Sequence, residues 1–245
     1  MTEKRILLVT GASSDVGIGL IKNITPNYEK IWVHYRSSDS VIECLREEFG
    51  DSILPVQADF SDMESTERMI NLIRDSGNFP DHIIHLSAPR VHNLQFHKLN
   101  WETYQKEIDI SLRSIIMILQ QFIPYMSKKK YGKIIFMLSA YLVGMPPSFL
   151  SSYITVKYAL LGLMRNLAVE YASKRISVNA VSPDMMETKF LVDIPELVKE
   201  QSASNSPLGR NLFVEEVIPT LLYLLSDACD VVTGQNIHIG MSFKK

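Results

Sequence analysis

Seven short apolar runs, separated by stretches of helical periodicity, succeed one another along this 245-residue chain. Residues 5–10, 31–35, 53–59, 82–88, 133–138, 176–181 and 236–239 read as strands, most of them apolar on both faces. A chain that alternates strand and helix in this way closes into parallel strands joined by helical crossovers. The expected fold is α/β, a doubly wound parallel sheet with helices on both faces. Ligands of such sheets bind at the carboxyl ends of the strands. Gly11, Asp59, Ser139 and Pro183 all fall there.

The helical stretches are amphipathic or apolar. Val41, Leu45 and Phe49 share a face that Gly50 ends, and residues 63–74 keep helical spacing. Residues 101–129 read as one long helix carrying Tyr104, Ile108, Leu112, Ile115, Leu119, Phe122 and Met126. Lys128, Lys129 and Lys130 close it as a solvated end that suits the helix dipole. A helix from residue 151 to about 173 and another over 214–225 follow, and Ser182-Pro183 breaks the sixth strand. Residues 89–100 form a polar and aromatic loop. Residues 184–210 carry no strand pattern, and a segment this long beside strand ends is expected to be a mobile substrate lid. With no linker, repeat or low-complexity tract, residues 1–245 are expected to form a single domain.

Composition removes several functions. A formal charge of −2 argues against nucleic acid or an anionic membrane as the main partner. Cys44 and Cys229, each in an apolar helical pattern, provide no disulfide framework or zinc spacing, so a reducing cytoplasm is expected. The start of the chain, Met1 to Arg5 and a short apolar run, is too brief for a signal peptide or membrane span. The six histidines form no metal-ligand pattern and read as structural or surface residues.

The first strand runs into Gly11-Ala12-Ser13-Ser14-Asp15-Val16-Gly17-Ile18-Gly19, and the helix is expected to start at Leu20-Ile21. A glycine-bearing turn between strand and helix makes a phosphate cradle, because backbone approaches the ligand closely at glycine and N–H groups face an anion. The second strand ends in Arg36-Ser37-Ser38. An arginine there accommodates a 2′-phosphate, so the expected cofactor is NADP(H). Asp59 ends the third strand beside the expected adenine position.

Tyr153 and Lys157 stand four residues apart and share one helix face. A lysine ammonium favours the phenolate and brings the tyrosine toward the working range, as reduction of a ketone or oxidation of an alcohol requires.

Taken together, these residues resemble the short-chain dehydrogenase/reductase family over essentially the whole chain. Residues 10–17 resemble its TGxxxGxG cofactor motif, and Ser139 with Tyr153-x-x-x-Lys157 its catalytic serine, tyrosine and lysine. Residues 179–183 with Thr188 resemble its NxxxPGxxxT segment, and residues 233–235 its TGQ. The pattern looks nearest to bacterial 3-oxoacyl-carrier-protein reductases and related ketoreductases. The resemblance implies a Rossmann-type fold and a homodimer or homotetramer built on the two long helices. It further implies cofactor contacts from Gly11, Ser13, Ser14, Val16, Gly17, Arg36, Ser37, Asp59, Phe60, Ser87, Tyr153, Lys157, Pro183, Met186 and Thr188. No metal is implied. In the implied mechanism Tyr153 donates a proton to the carbonyl oxygen, Ser139 hydrogen-bonds that oxygen, and Lys157 binds the nicotinamide ribose.

Several positions depart from the family pattern. Asp15 stands where a glycine is expected, and is expected either to oppose the pyrophosphate or to cap the following helix. His85-Leu86-Ser87-Ala88 replaces NNAG, and Asp184 replaces the glycine after Pro183. The asparagine that holds a water for the lysine aligns with Ser111, whose hydroxyl would hold that water instead. The leading expectation is reduction of a carrier-bound or small-molecule ketone, such as an acyl thioester or polyketide. A keto-sugar or other secondary-metabolite ketone is the alternative substrate. A catalytically weak dinucleotide-binding regulatory subunit is the alternative in kind.

Overall fold

A computed structural model describes residues 5–241, so residues 1–4 of the N-terminal stretch lie outside the described residues. Seven parallel strands lie in the order β3-β2-β1-β4-β5-β6-β7. They are β1 Ile6–Thr10, β2 Lys30–Tyr35, β3 Ile53–Gln57, β4 His82–His85, β5 Gly132–Met137, β6 Ile176–Pro183 and β7 Asn236–Ile239. The order reverses between β1 and β4, where Thr10 pairs with His85. That reversal opens the crevice at the carboxyl ends.

Successive strand residues face opposite layers, and the core divides accordingly. Leu8, Ile83, Ile134, Phe136 and Val178 face one cluster, while Leu7, Val9, Ile84, Ile135 and Val181 face the other. The first layer is filled by α3 Met63–Asp75, α5 Ser114–Lys129 and α6 Ser151–Tyr171. The second is filled by α1 Asp15–Ile24, α2 Asp39–Phe49 and α8 Val214–Leu225. Burying one such leucine or isoleucine contributes about 1.5–3 kcal/mol, an upper figure because the unfolded chain is partly collapsed. This two-sided burial explains why the strands read as continuous apolar runs.

The boundaries differ from the sequence reading in instructive ways. Helix α1 begins at Asp15 rather than Leu20, because Ser14 caps it by accepting the Gly17 N–H at 3.1 Å. The strands β3 and β4 stop before Asp59 and Ala88. Strand β6 runs through Ser182 and Pro183, since a proline at a strand's last position lacks only a donor, and Asp184 N–H resumes the ladder to Ile239. The expected single helix over 101–129 is α4 Trp101–Glu107, a π-helical turn Ile108–Arg113, and α5. Lys129 is not a solvated end: its Nζ lies 2.8 Å from the buried Asp81 carboxylate. Cys229 sits in a short 3-10 turn, not a helix. Residues 184–210 carry more regular structure than the sequence indicates, with a 3-10 turn Lys189–Leu191 and a helix α7 Glu196–Asn205. Among the described residues no helix is long and apolar enough to cross a membrane.

Candidate active site

The turn after β1 is built for close approach. Gly11 has φ +68°, and a Cβ there would meet the Ser87 backbone N at 3.0 Å. A Cβ on Gly17 would meet the Ala12 carbonyl oxygen at 2.5 Å, so only glycine lets α1 pack onto the turn. The first turn of α1 thereby starts at the sheet's carboxyl edge, where helix N–H groups favour an anion, although Ser14 already takes the Gly17 N–H. Ser87, at the crossing from β4, has a buried Oγ with no hydrogen-bond partner among the described residues. An orphaned hydroxyl beside this turn is what a site shaped for a polar ligand leaves behind. The residues present thus fit a dinucleotide.

Two buried histidines hold this turn in place. His34 Nδ1 accepts the Gly11 N–H at 3.0 Å, and its Nε2 donates to the Ala58 carbonyl at 3.1 Å. A carbonyl can only accept, which fixes the tautomer. His85 Nε2 likewise donates to the Ser111 carbonyl at 2.8 Å, leaving Nδ1 to accept from the Thr10 hydroxyl at 2.8 Å. Burial keeps both neutral, pulling His34 down to about 4 and His85 down to about 3. The sequence reading took all the histidines as structural or surface residues. A polar residue recurring near the carboxyl ends of otherwise apolar strands was the signal that marked these two.

On the opposite wall stand the acid/base residues. β5 delivers Ser139, and α6 carries Tyr153 and Lys157 on adjoining turns. Tyr153 and Ser139 line the same cavity, and the Lys157 ammonium lies 5.5 Å from the Tyr153 ring centroid. Lys157 Nζ donates to the Met137 carbonyl at 2.8 Å. The expected lowering of the tyrosine is not what this site does. Burial raises the phenol well above its ordinary value, and the Ser139 hydrogen bond offsets only part of that. Burial also pulls Lys157 down to about 8. Burial thus favours the protonated form of the Tyr153 phenol.

Asp15 lines the cavity described below but does not cap α1. Ser14 is the cap, and the Asp15 carboxylate instead accepts the Lys189 backbone N–H at 2.8 Å, tying the glycine turn to the lid. Asp184 pairs with His238 Nε2 at 3.1 Å. The lid base is pinned by a parallel bridge between Met186 and Leu212.

A cavity of about 640 Å³ brings many of these residues together. Ser13, Ser14, Val16, Ser139, Tyr153, Lys157, Pro183, Met186 and Thr188 all line it. Its far wall is apolar, from Val91, Leu150, Phe190, Leu191, Ile194 and Val198. Gly11 and Gly17 lie behind the turn. Arg36, Ser37 and Asp59 lie further along the carboxyl edge, with Arg36 exposed and its charge helping to hold Asp59. Burial works against the Asp59 carboxylate, yet its Ser61 hydrogen bonds at 2.7 and 2.9 Å leave it lowered. Phe60 is in the core, its ring stacked on His34 at 3.9 Å, so it can meet a ligand only through its backbone. Ser111 is buried in the π-helical turn, a distortion that recurs at functional sites.

A family model described as enoyl-(acyl carrier protein) reductase matches residues 11–241. The 3-oxoacyl-[acyl-carrier-protein] reductase of Staphylococcus aureus is 27% identical over 236 residues, covering 95% of each chain. The cis-4-hydroxycyclohexanecarboxylate dehydrogenase of Sinomonas cyclohexanicum is 26% identical over 233 residues, 94% of this chain and 93% of that one. Among solved structures, a 3-oxoacyl-[acyl-carrier protein] reductase from Brucella melitensis superposes with a TM-score of 0.87 at 20% identity, covering 98% of this chain and 91% of that one.

Proposed function

The chain belongs to the short-chain dehydrogenase/reductase family, oxidoreductases acting on CH–OH and C=O groups, and from that premise we propose that it is an NADPH-dependent ketoreductase. One observation carries the reading: Ser139, Tyr153 and, one helical turn later, Lys157 line one cavity whose far wall is apolar.

The cofactor, when bound, supplies hydride to the carbonyl carbon. The chain's own residues handle the oxygen. Tyr153 holds the proton that the oxygen receives, and the Ser139 hydroxyl fixes the direction of approach. Lys157 binds the ribose with its ammonium and, through a water held at Ser111, restores the tyrosine's proton. Gly11, Ser13, Ser14, Val16 and Gly17 would hold the pyrophosphate, and Ser87, Asp59 and the Phe60 backbone the adenosine. Pro183, Met186 and Thr188 would hold the nicotinamide, and Arg36 and Ser37 the 2′-phosphate.

The apolar wall formed by Val91, Leu150 and the 184–210 segment suits the hydrocarbon part of an acyl thioester or polyketide better than a polyol. The name of the Staphylococcus aureus relative supports a carrier-bound ketone. A second reading, a cyclic or sugar ketone or alcohol, draws on the Sinomonas cyclohexanicum relative's name. The regulatory-subunit reading loses much of its motive, because Asp15 and Asp184 have structural partners of their own. The test is loss of NADPH absorbance with acetoacetyl, crotonyl, cyclic-ketone and keto-sugar substrates. Turnover of the acetoacetyl thioester supports the proposal. Turnover of the crotonyl thioester alone, or of none, contradicts it.

A further inference from the structure

Glu107 is a carboxylate that the mechanism above does not use. It ends α4, just before the π-helical turn, and is only 3% exposed. Glutamate is almost never so buried without a partner. Its Oε1 accepts from the Ser152 hydroxyl at 2.7 Å, and Ser152 is itself fully buried beside Tyr153. This bond ties α4 to the first turn of the helix that carries Tyr153 and Lys157. A single hydroxyl does not compensate a buried negative charge, which calls for a cation. Lys157, 5% exposed, is the cation whose charge acts on it.

Resting on the ketoreductase reading, we propose that Glu107 is a positioning residue: a buried carboxylate that keeps Lys157 an ammonium. Burial raises Glu107, and the Ser152 bond and then Lys157 work against that rise. Burial lowers Lys157, and Glu107 works against that fall. The other titratable groups around the pair cannot take its place. His85, from β4, is neutral, and Tyr153, on the same helix as Lys157, is protonated. Tyr141, which faces Tyr153, is held protonated too, by burial first and then by Asp184.

Glu107→Gln keeps an oxygen for Ser152 and removes only the charge. Without that charge the Tyr153–Lys157 pair loses its first proton more easily, whichever residue gives it up. The alkaline limb of kcat/KM for ketone reduction should therefore move down by about half a pH unit or more, a roughly threefold loss at a pH on the limb. A limb that superimposes on the parent's overturns the proposal, since a merely structural hydrogen bond would leave it in place.

A second arm needs neither turnover nor a Glu107 variant, so it separates this proposal from the ketoreductase reading. In Lys157→Met the Glu107 carboxylate is left buried and unpaired, and its pKa rises. Unfolded glutamate ionises near pH ~4.3, so the stability of Lys157→Met relative to the parent should fall as pH increases above that value. Adding Glu107→Gln should abolish the slope. Denaturation midpoints of Lys157→Met that follow the parent's at every pH overturn the proposal, even if the chain reduces ketones.

Discussion

The carboxylate of Asp15, at the start of α1, accepts the backbone N–H of Lys189, 174 residues away, at 2.8 Å. The bond ties the glycine turn to the 184–210 segment, the proposed substrate lid. A hydrogen bond to a charged group contributes about 1.5–3 kcal/mol, less at a partly exposed position such as this. Asp15→Ala should raise KM for the ketone by about threefold to tenfold, with kcat little changed. Protease cleavage within residues 184–195 should quicken in parallel. Unchanged KM with unchanged cleavage would show that the bond does not hold the lid.

Arg36 is exposed at the end of β2, with its charge reaching Asp59. A charge-assisted contact to a 2′-phosphate is worth about 1.5–3 kcal/mol, so NADPH should bind roughly tenfold or more tighter than NADH. Arg36→Ala should remove that ratio. Fluorescence titration of both cofactors decides it, and a ratio untouched by the substitution contradicts the assignment.

The sheet and the carboxyl edge of its strands were legible because strands buried on both faces leave continuous apolar runs. Tyr153, Lys157 and Ser139 were legible because local spacing and strand ends place them. What sequence did not reveal depends on distant partners. Asp15 reads as a misfit until Lys189 arrives beside it, and Lys129 reads as solvated until Asp81 is seen beneath it. Ser182 and Pro183 looked like a break because proline's missing donor matters only within a ladder, not at its end. The π-helical turn at Ser111 leaves the apolar spacing of residues 101–129 almost unaltered, so periodicity cannot register it.

His34 and His85 make stability depend on acid. Both are lowered in the fold by burial, to about 4 and about 3. Their contribution is complete above the unfolded value of about 6.5 and is lost as pH falls toward the folded values. For His34 alone this amounts to about 3 kcal/mol by pH 4, on the order of 1.4 kcal/mol per pH unit. Urea midpoints should therefore decline from pH 6.5 downward, and His34→Leu should lower them near neutral pH by leaving the Gly11 N–H and the Ala58 carbonyl unpaired, with the deficit narrowing as pH falls toward 4. A midpoint flat between pH 7 and 5 would contradict the account.

Helix α6 leaves Val169 81% exposed and Tyr158 44% exposed, and Trp101 on α4 is 65% exposed. These exposed apolar side chains on α4 and α6 suit a partner, and a two-fold pairing of the two helices would cover them. Light scattering at micromolar concentration should report a dimer or tetramer, and Val169→Glu should shift it toward monomer. A parent that scatters as a monomer removes the proposed interface.

Tyr153 as proton donor is the central claim, and deleting its hydroxyl alone tests it most directly. Tyr153→Phe keeps the ring and the helix, while general acid catalysis contributes typically ~10²–10⁴-fold. With the best ketone from the panel, turnover should fall by about that factor, while NADPH affinity and melting temperature stay near the parent's. Turnover within a few-fold of the parent would show that Tyr153 only packs, and that the proton comes from elsewhere.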